Sequence, residues 1–191
     1  MIPSHPIAGQ KVVLRPLTLA DCNHSYLSWM KDEEVNRYME TRWCEQTIDS
    51  IKKFVDGIND SDHSCIFAIE YCGEHVGNIK IGPINARYRN ADVSYFIGKK
   101  ALYGQGLAKD AVACMIRFAF EELNLNRIQA GCFSDNVGSQ KVLLANGFRQ
   151  EAVFRQKYYL THDDDANLNA DWTDCYEYAL LKCEWQSNKT F

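Results

Sequence analysis

The sequence predicts one α+β domain built on a mixed β-sheet flanked by helices, and three observations predict it. Strand-like and helix-like segments follow one another in the order β-α-α-β-β-β-α-β-α-β-β, with no repeating βα unit. The 191 residues are 46% hydrophobic and 24% charged, enough apolar material for one sizeable core. No internal repeat, low-complexity tract or linker divides the chain, so residues 1–191 read as a single domain.

Each element has its own signal. Residues 11–16 alternate briefly and read as a first strand. Thr18-Leu-Ala-Asp21 is a capping-box-like start for an amphipathic helix running to about Met30. A second helix starts at Thr47, with Ile48, Ile51, Phe54 and Val55 on one face. Residues 65–71 and 75–81 form a hairpin around Cys72-Gly-Glu74, and 91–98 is a further strand. A long helix over 105–122 carries the stripe Ala108, Ala111, Val112, Met115, Ile116 and Ala119. A strand over 127–133 and a helix over 137–146 follow, the latter closed by Gly147. Strands near 151–160 and 176–184 finish the chain.

Composition excludes several classes. Lys plus Arg is 21 against 25 for Asp plus Glu, a net charge of -4, so the clustered cations of a nucleic-acid binder are missing. The longest purely hydrophobic run, 111–116, falls far short of the ~20 residues of a membrane span. The first eleven residues lack a basic segment followed by an apolar stretch, so no secretory signal is expected. The eight cysteines contain no CxxC pair, and most lie in apolar segments, as reduced core thiols do. Cys72-Gly-Glu-His75 has a metal-like spacing without a second ligand pair, so no metal site is expected. A cytoplasmic chain follows from these readings.

Chemistry concentrates in Ala101-Leu-Tyr-Gly-Gln-Gly-Leu-Ala-Lys-Asp110. Gly104 and Gly106 allow a tight turn and close approach of a ligand to backbone. The long helix then presents free N–H groups and its positive dipole end, a ready seat for phosphate to which Lys109 adds charge. The same feature also suits a plain strand-to-helix connection. The dinucleotide fingerprint and the Walker loop are both incomplete here.

Tyr103-Gly-Gln-Gly-Leu-Ala108 resembles the acetyl-CoA loop, (Q/R)xxGx(G/A), of the GNAT N-acetyltransferases. Asn136-Val-Gly-Ser139 through Gly147-Phe148 is similar to that superfamily's NxxSxxxxxxxGF segment, and 91–98 resembles the strand before the loop. Leu14-Arg-Pro-Leu17 and Asn36-Arg-Tyr-Met-Glu40 point to the RimJ/RimL-like subgroup, and the likeness covers about 11–182. Tyr103 departs from the general Gln or Arg.

The resemblance implies a sheet splayed between the strands at 91–98 and 127–133. The pantetheine arm of acetyl-CoA would pair with backbone near Tyr95, Phe96 and Ile97. The pyrophosphate would sit around Gln105, Gly106, Leu107, Ala108 and Lys109, beside Tyr103 and Gly104. Asn136 would reach the cofactor arm, with Ser139 near the thioester sulfur. The activity implied is transfer of acetyl to a primary amine by direct attack in a ternary complex; a non-catalytic CoA-binding module is the alternative.

Acetyl transfer needs a neutral nucleophile, and an ammonium with a pKa of about 10 needs a base. Asp92 is the candidate base or an ordinary outward strand carboxylate. A backbone N–H near Ile97 would stabilise the oxyanion. The tyrosine that many relatives use as the thiolate's acid is replaced by the apolar Val142 and Leu143. Ser139 or Tyr158 must substitute, although Ser139 also suits a first-turn backbone bond and Tyr158 a packing role. Some RimL-like enzymes carry glutamate where Tyr158 stands.

On the acceptor side the resemblance implicates Arg37, Tyr38 and Glu40. Asn78, polar among apolar strand residues, is either a site residue or a satisfied core amide, and the site reading is carried forward. The Asp-rich segment 162–174 reads as a solvated hairpin loop. The partner expected is an amine acceptor: a protein N-terminus, an amino sugar or a small amine. Neither nucleic acid nor membrane is expected, and a homodimer is left open.

Overall fold

Residues 5–159 and 172–188 are described by the computed structural model of the chain. Eight strands form one sheet: β1 (Ile7–Ala8), β2 (Val13–Pro16), β3 (Cys65–Tyr71), β4 (Glu74–Ile81), β5 (Asn90–Ile97), β6 (Arg127–Phe133), β7 (Arg149–Tyr159) and β8 (Trp172–Leu181). Their spatial order is β1-β2-β3-β4-β5-β6-β8-β7. Neighbouring strands run antiparallel except β5 and β6, which run parallel. The mixed α+β architecture is the expected one.

Helices cover both faces. On one lie α1 (His24–Lys31), α2 (Glu33–Asn36) and α3 (Ile48–Asn59); on the other, α4 (Leu107–Arg117) and α5 (Val137–Ala145). Strand alternation feeds two cores. Phe67, Ile69, Ile79 and Val93 point to the α4 face, where Ala111, Val112, Met115 and Ile116 meet them. Ile66 and Ala68 point the other way, under Tyr26, Trp29, Ile51 and Val55. Each of these larger apolar side chains contributes roughly 1.5–3 kcal/mol by leaving water. No helix among the described residues is long and apolar enough to cross a membrane.

Several boundaries differ from expectation, each for a local reason. The first helix breaks in two. Leu19–Asp21 make one 3₁₀ turn, and Asn23 caps a fresh start by accepting from the N–H groups of Ser25 and Tyr26 at 2.9 and 3.3 Å. The Asp21 carboxylate closes the expected capping box by accepting from the Thr18 N–H at 2.9 Å, and it also takes both terminal Arg15 nitrogens, at 2.8 and 2.9 Å. The helix at Thr47 starts as expected, through a reciprocal bond with Ser50, but Phe54 is exposed while Ile51 and Val55 are buried. The long helix ends in a π turn over Phe118–Glu122. The last strand stops at Leu181, because Lys182–Asn188 form α6. The segment 162–171 lies outside the described residues. Asp174 belongs to β8 and accepts from the Gln156 N–H at 2.8 Å.

The expected hairpin turns through Cys72 and Gly73, both at positive φ, as a two-residue primed turn requires. His75 does not pair with Cys72. Its ring packs on Tyr26 and Trp29, and Nε2 meets Asn78 Oδ1 at 2.7 Å. Five cysteines are buried; Cys44, Cys72 and Cys183 are exposed, contrary to a uniform core role.

Candidate active site

The β5–β6 ladder holds for three rungs only, Asn90–Asp92 against Arg127–Gln129. Beyond Asp92 the register with β6 ends, while β5 stays paired to β4 as far as Ile97. The sheet therefore parts at Val93. Its open β5 edge offers backbone donors and acceptors to whatever enters the gap.

The mouth of the gap lies at the start of α4. Gly104 and Gly106 both take positive φ, 76° and 79°, which is why glycine stands at each. Gly106 is the N-cap residue and has no side chain with which to cap. The first-turn N–H groups of α4 are thus left for a ligand, at the positive end of an eleven-residue helix. Leu107 is buried and Ala108 half-buried, so what each offers at the helix start is its backbone. The Tyr103 hydroxyl donates to the Ile97 carbonyl at 3.1 Å and ties the loop to the strand end. That bond occupies one lone pair at a position expected to bind the cofactor arm.

The far wall is the start of α5. Asn136 is its N-cap, Oδ1 accepting from the Ser139 N–H at 3.1 Å, which leaves the amide NH₂ for other work. Ser139 Oγ lies 2.9 Å from the Tyr95 hydroxyl, so this pair bridges the gap from α5 to β5. Burial holds the Tyr95 phenol protonated well above its usual range. Burial likewise pushes the Cys132 thiol up to about 12. Val142 and Leu143 are apolar packing residues on the helix, Leu143 fully buried.

The opposite face of the gap gathers different side chains. Asp92 is exposed on the last paired rung, above a groove lined by His63, Asn85, Asn90 and Gln129. Arg37 Nη2 and the Tyr38 hydroxyl both bond Asp135 Oδ2, at 3.0 and 3.1 Å, and Tyr38 lies against Phe133. Tyr158 stacks on Phe133 with ring centroids 4.1 Å apart, and burial followed by the Cys175 contact keeps its phenol protonated. Ser139 and Tyr158, the alternatives for one role, thus lie on opposite faces of the sheet. Glu40 is exposed beside this cluster. Asn78 is 3% exposed beneath α1; its Oδ1 meets His75 Nε2, while its buried Nδ2 has no hydrogen-bond partner among the described residues.

Sequence reasoning missed two residues. Glu177 on β8 lies opposite Gly131, the first rung of β6 beyond the parting that shows this face. A Cβ on Gly131 would sit 3.0 Å from the Glu177 Oε2, so the carboxylate lies directly over bare backbone. Burial raises its pKa above the ordinary carboxylate value; Lys157 and Arg127 oppose that, and Asp92 and Glu151 add to it. Among the described residues no side chain forms a hydrogen bond or ion pair with it, Arg127 being engaged by Glu151 at 2.6 and 3.0 Å. The run 175–181 was the available signal, since Glu177 interrupts an otherwise apolar and aromatic stretch. Lys11 is the second, its ammonium donating to the Gln105 carbonyl at 2.7 Å. No local sequence pattern shows it.

The sequence profile of the acetyltransferase (GNAT) domain matches residues 11–149. The uncharacterized N-acetyltransferase p20 of Bacillus licheniformis is 26% identical over 182 residues, 92% of this chain and 96% of its own. RimL, a ribosomal L7/L12 α-N-protein acetyltransferase solved with coenzyme A, superposes with a TM-score of 0.80 at 18% identity, covering 93% of this chain and 98% of its own. Spermidine N-acetyltransferase of Vibrio cholerae, solved with CoA and spermine, gives 0.78 at 17% identity over 92% and 98%. These two structures share the fold.

Proposed function

The chain belongs to the GNAT acetyltransferase family, in its RimJ/RimL-like group, and from that premise we propose how its residues divide the reaction. It is an acetyl-CoA-dependent N-acetyltransferase acting on an amine. Acetyl-CoA supplies the activated acetyl thioester. The parted sheet, with an uncapped helix start at its mouth, is the observation that carries the reading.

Backbone N–H groups from Gln105 to Lys109 hold the pyrophosphate, and the open edge of β5 at Tyr95, Phe96 and Ile97 holds the pantetheine arm. A β5 N–H steadies the oxyanion formed when the amine attacks. Ser139, oriented by the Tyr95 hydroxyl 2.9 Å away, donates a hydrogen bond to the departing thiolate, which takes its proton from solvent. Tyr158, with Arg37, Tyr38 and Glu40, lines the acceptor side.

Two carboxylates flank the parting on that side, Asp92 and Glu177. Together they attract the acceptor as a cation. Glu177, raised by burial, is the better proton acceptor of the two, because a base works best when its pKa approaches the working pH. We take the location to be the cytoplasm, in keeping with eight unpaired cysteines.

The test is release of free CoA thiol from acetyl-CoA over a panel of peptides with free N-termini, amino sugars and polyamines. Amine-dependent release identifies the acceptor class. Tight CoA binding with no release on any amine would favour a cofactor-binding module instead.

A further inference from the structure

We propose that Lys11, on the segment ahead of β2, is a ligand of the cofactor pyrophosphate. The inference rests on the placement of the phosphate loop at Gly104–Gly106, and what it adds is a cation from a distant part of the chain.

The segment is fastened to the start of α4. Asp110, in the first turn of that helix, accepts from the N–H groups of Gln10, Lys11 and Val12 at 3.1, 2.7 and 2.9 Å. The Gly9 N–H closes the turn on the Val12 carbonyl at 2.8 Å. Gly9 approaches so closely that a Cβ there would overlap the Asp110 carboxylate and the Cys114 sulfur. Arg117, two turns further along α4, reaches back to the Ala8 carbonyl at 2.7 Å. The root of the Lys11 side chain is therefore fixed relative to the phosphate loop.

Its tip is fixed as well. Nζ donates to the Gln105 carbonyl and lies 3.5 Å from where a Cβ of Gly106 would stand. That bond uses one of three ammonium donors and leaves two at the uncapped helix start. The acceptor is a neutral carbonyl, and although the ammonium lies within electrostatic range of Asp110, it forms no ion pair among the described residues. Two lysines ahead of the loop differ: Lys99 is paired with Glu74, and Lys100 with Asp32 and Glu34. In a chain of net charge -4, an ammonium without an ion pair at this point is the local field a diphosphate needs.

The experiment measures affinity directly, by calorimetry, with CoA, dephospho-CoA and pantetheine as probes. Lys11→Gln is expected to weaken CoA and dephospho-CoA alike by about tenfold, the worth of one charge-assisted bond, and to leave pantetheine unchanged. It should also flatten the salt dependence of CoA binding, which loss of a loop-ordering contact alone would not do. Lys11→Arg should restore most of the affinity. Equal CoA affinity in Lys11→Gln, or a loss that disappears with dephospho-CoA, overturns the assignment to the pyrophosphate. Gly106→Trp separates the two levels. If it leaves CoA affinity intact, the loop placement fails; if it abolishes binding while Lys11→Gln does nothing, only the lysine fails.

Discussion

Tyr95 and Ser139 join the two halves of the parted sheet: the phenol oxygen lies 2.9 Å from the serine hydroxyl and 3.3 Å from the serine carbonyl. A thiolate leaves readily, its conjugate acid having a pKa of about 8.5, so a well-placed hydrogen-bond donor is enough to ease its departure. Ser139→Ala is expected to lower kcat by about a hundredfold and Tyr95→Phe by about tenfold, with CoA affinity nearly unchanged. Steady-state kinetics at saturating amine decide it. A Ser139→Ala enzyme with undiminished kcat removes the serine from the chemistry.

Glu177 gives a pH signature. The base must be ionised, and its pKa is raised, so kcat/KM for the amine falls as pH drops through a value above the ordinary glutamate range. Glu177→Gln should cost about a hundredfold and erase that acid limb. Asp92→Asn should move the limb downward, because it removes a like charge that helps raise Glu177. An identical limb in Glu177→Gln would show that the proton goes elsewhere.

Asn136 has two separable jobs. As the N-cap of α5 it is worth about 1 kcal/mol, or about 2–4 °C of Tm in a chain of this size. Asn136→Ala should lose that and also misplace Ser139, whose N–H it holds. Asn136→Ser keeps a capping oxygen and should recover the stability. Weakened CoA binding that persists in Asn136→Ser would report the amide NH₂ on the cofactor arm; full recovery would leave the cap as its whole role.

Asp21 governs acid stability. Burial works against its ionisation, but Arg15 and Thr18 outweigh it and hold the pKa at about 2, against 3.8. A depressed carboxylate stabilises the fold above its unfolded pKa and loses that contribution as pH falls toward 2. Thermal melts between about pH 5 and about pH 2.5 should therefore show wild type losing about 1–2 kcal/mol that Asp21→Asn never had. Parallel curves for the two proteins would contradict the Arg15 pairing.

What the sequence showed follows from range. Gly104, Gly106 and the Asn136–Ser139 start are local, each written within a turn of backbone that needs those residue types. Lys11 and Gln105 are 94 positions apart, and Tyr38 and Asp135 are 97. Such meetings depend on how elements pack, which periodicity does not encode. Asn78 shows the same limit, since alternation places it on a face without saying that α1 covers that face. The break at Asn23 was legible in retrospect, as two capping residues stand five positions apart.

The order β6-β8-β7 has a consequence for synthesis. β7 pairs only with β8, and β6 pairs with β8 along its whole length but with β5 over just three rungs; β8 carries Glu177 and registers Cys175 against Phe133 on one side and Phe154 on the other. On the ribosome the N-terminal strands can assemble early, while the second half of the sheet waits with two unsatisfied edges for residues 172–181 to emerge. A nascent chain halted before them would already hold the phosphate loop yet lack the wall opposite Gly131. On the roles proposed above, catalytic competence thus waits for residues 172–181.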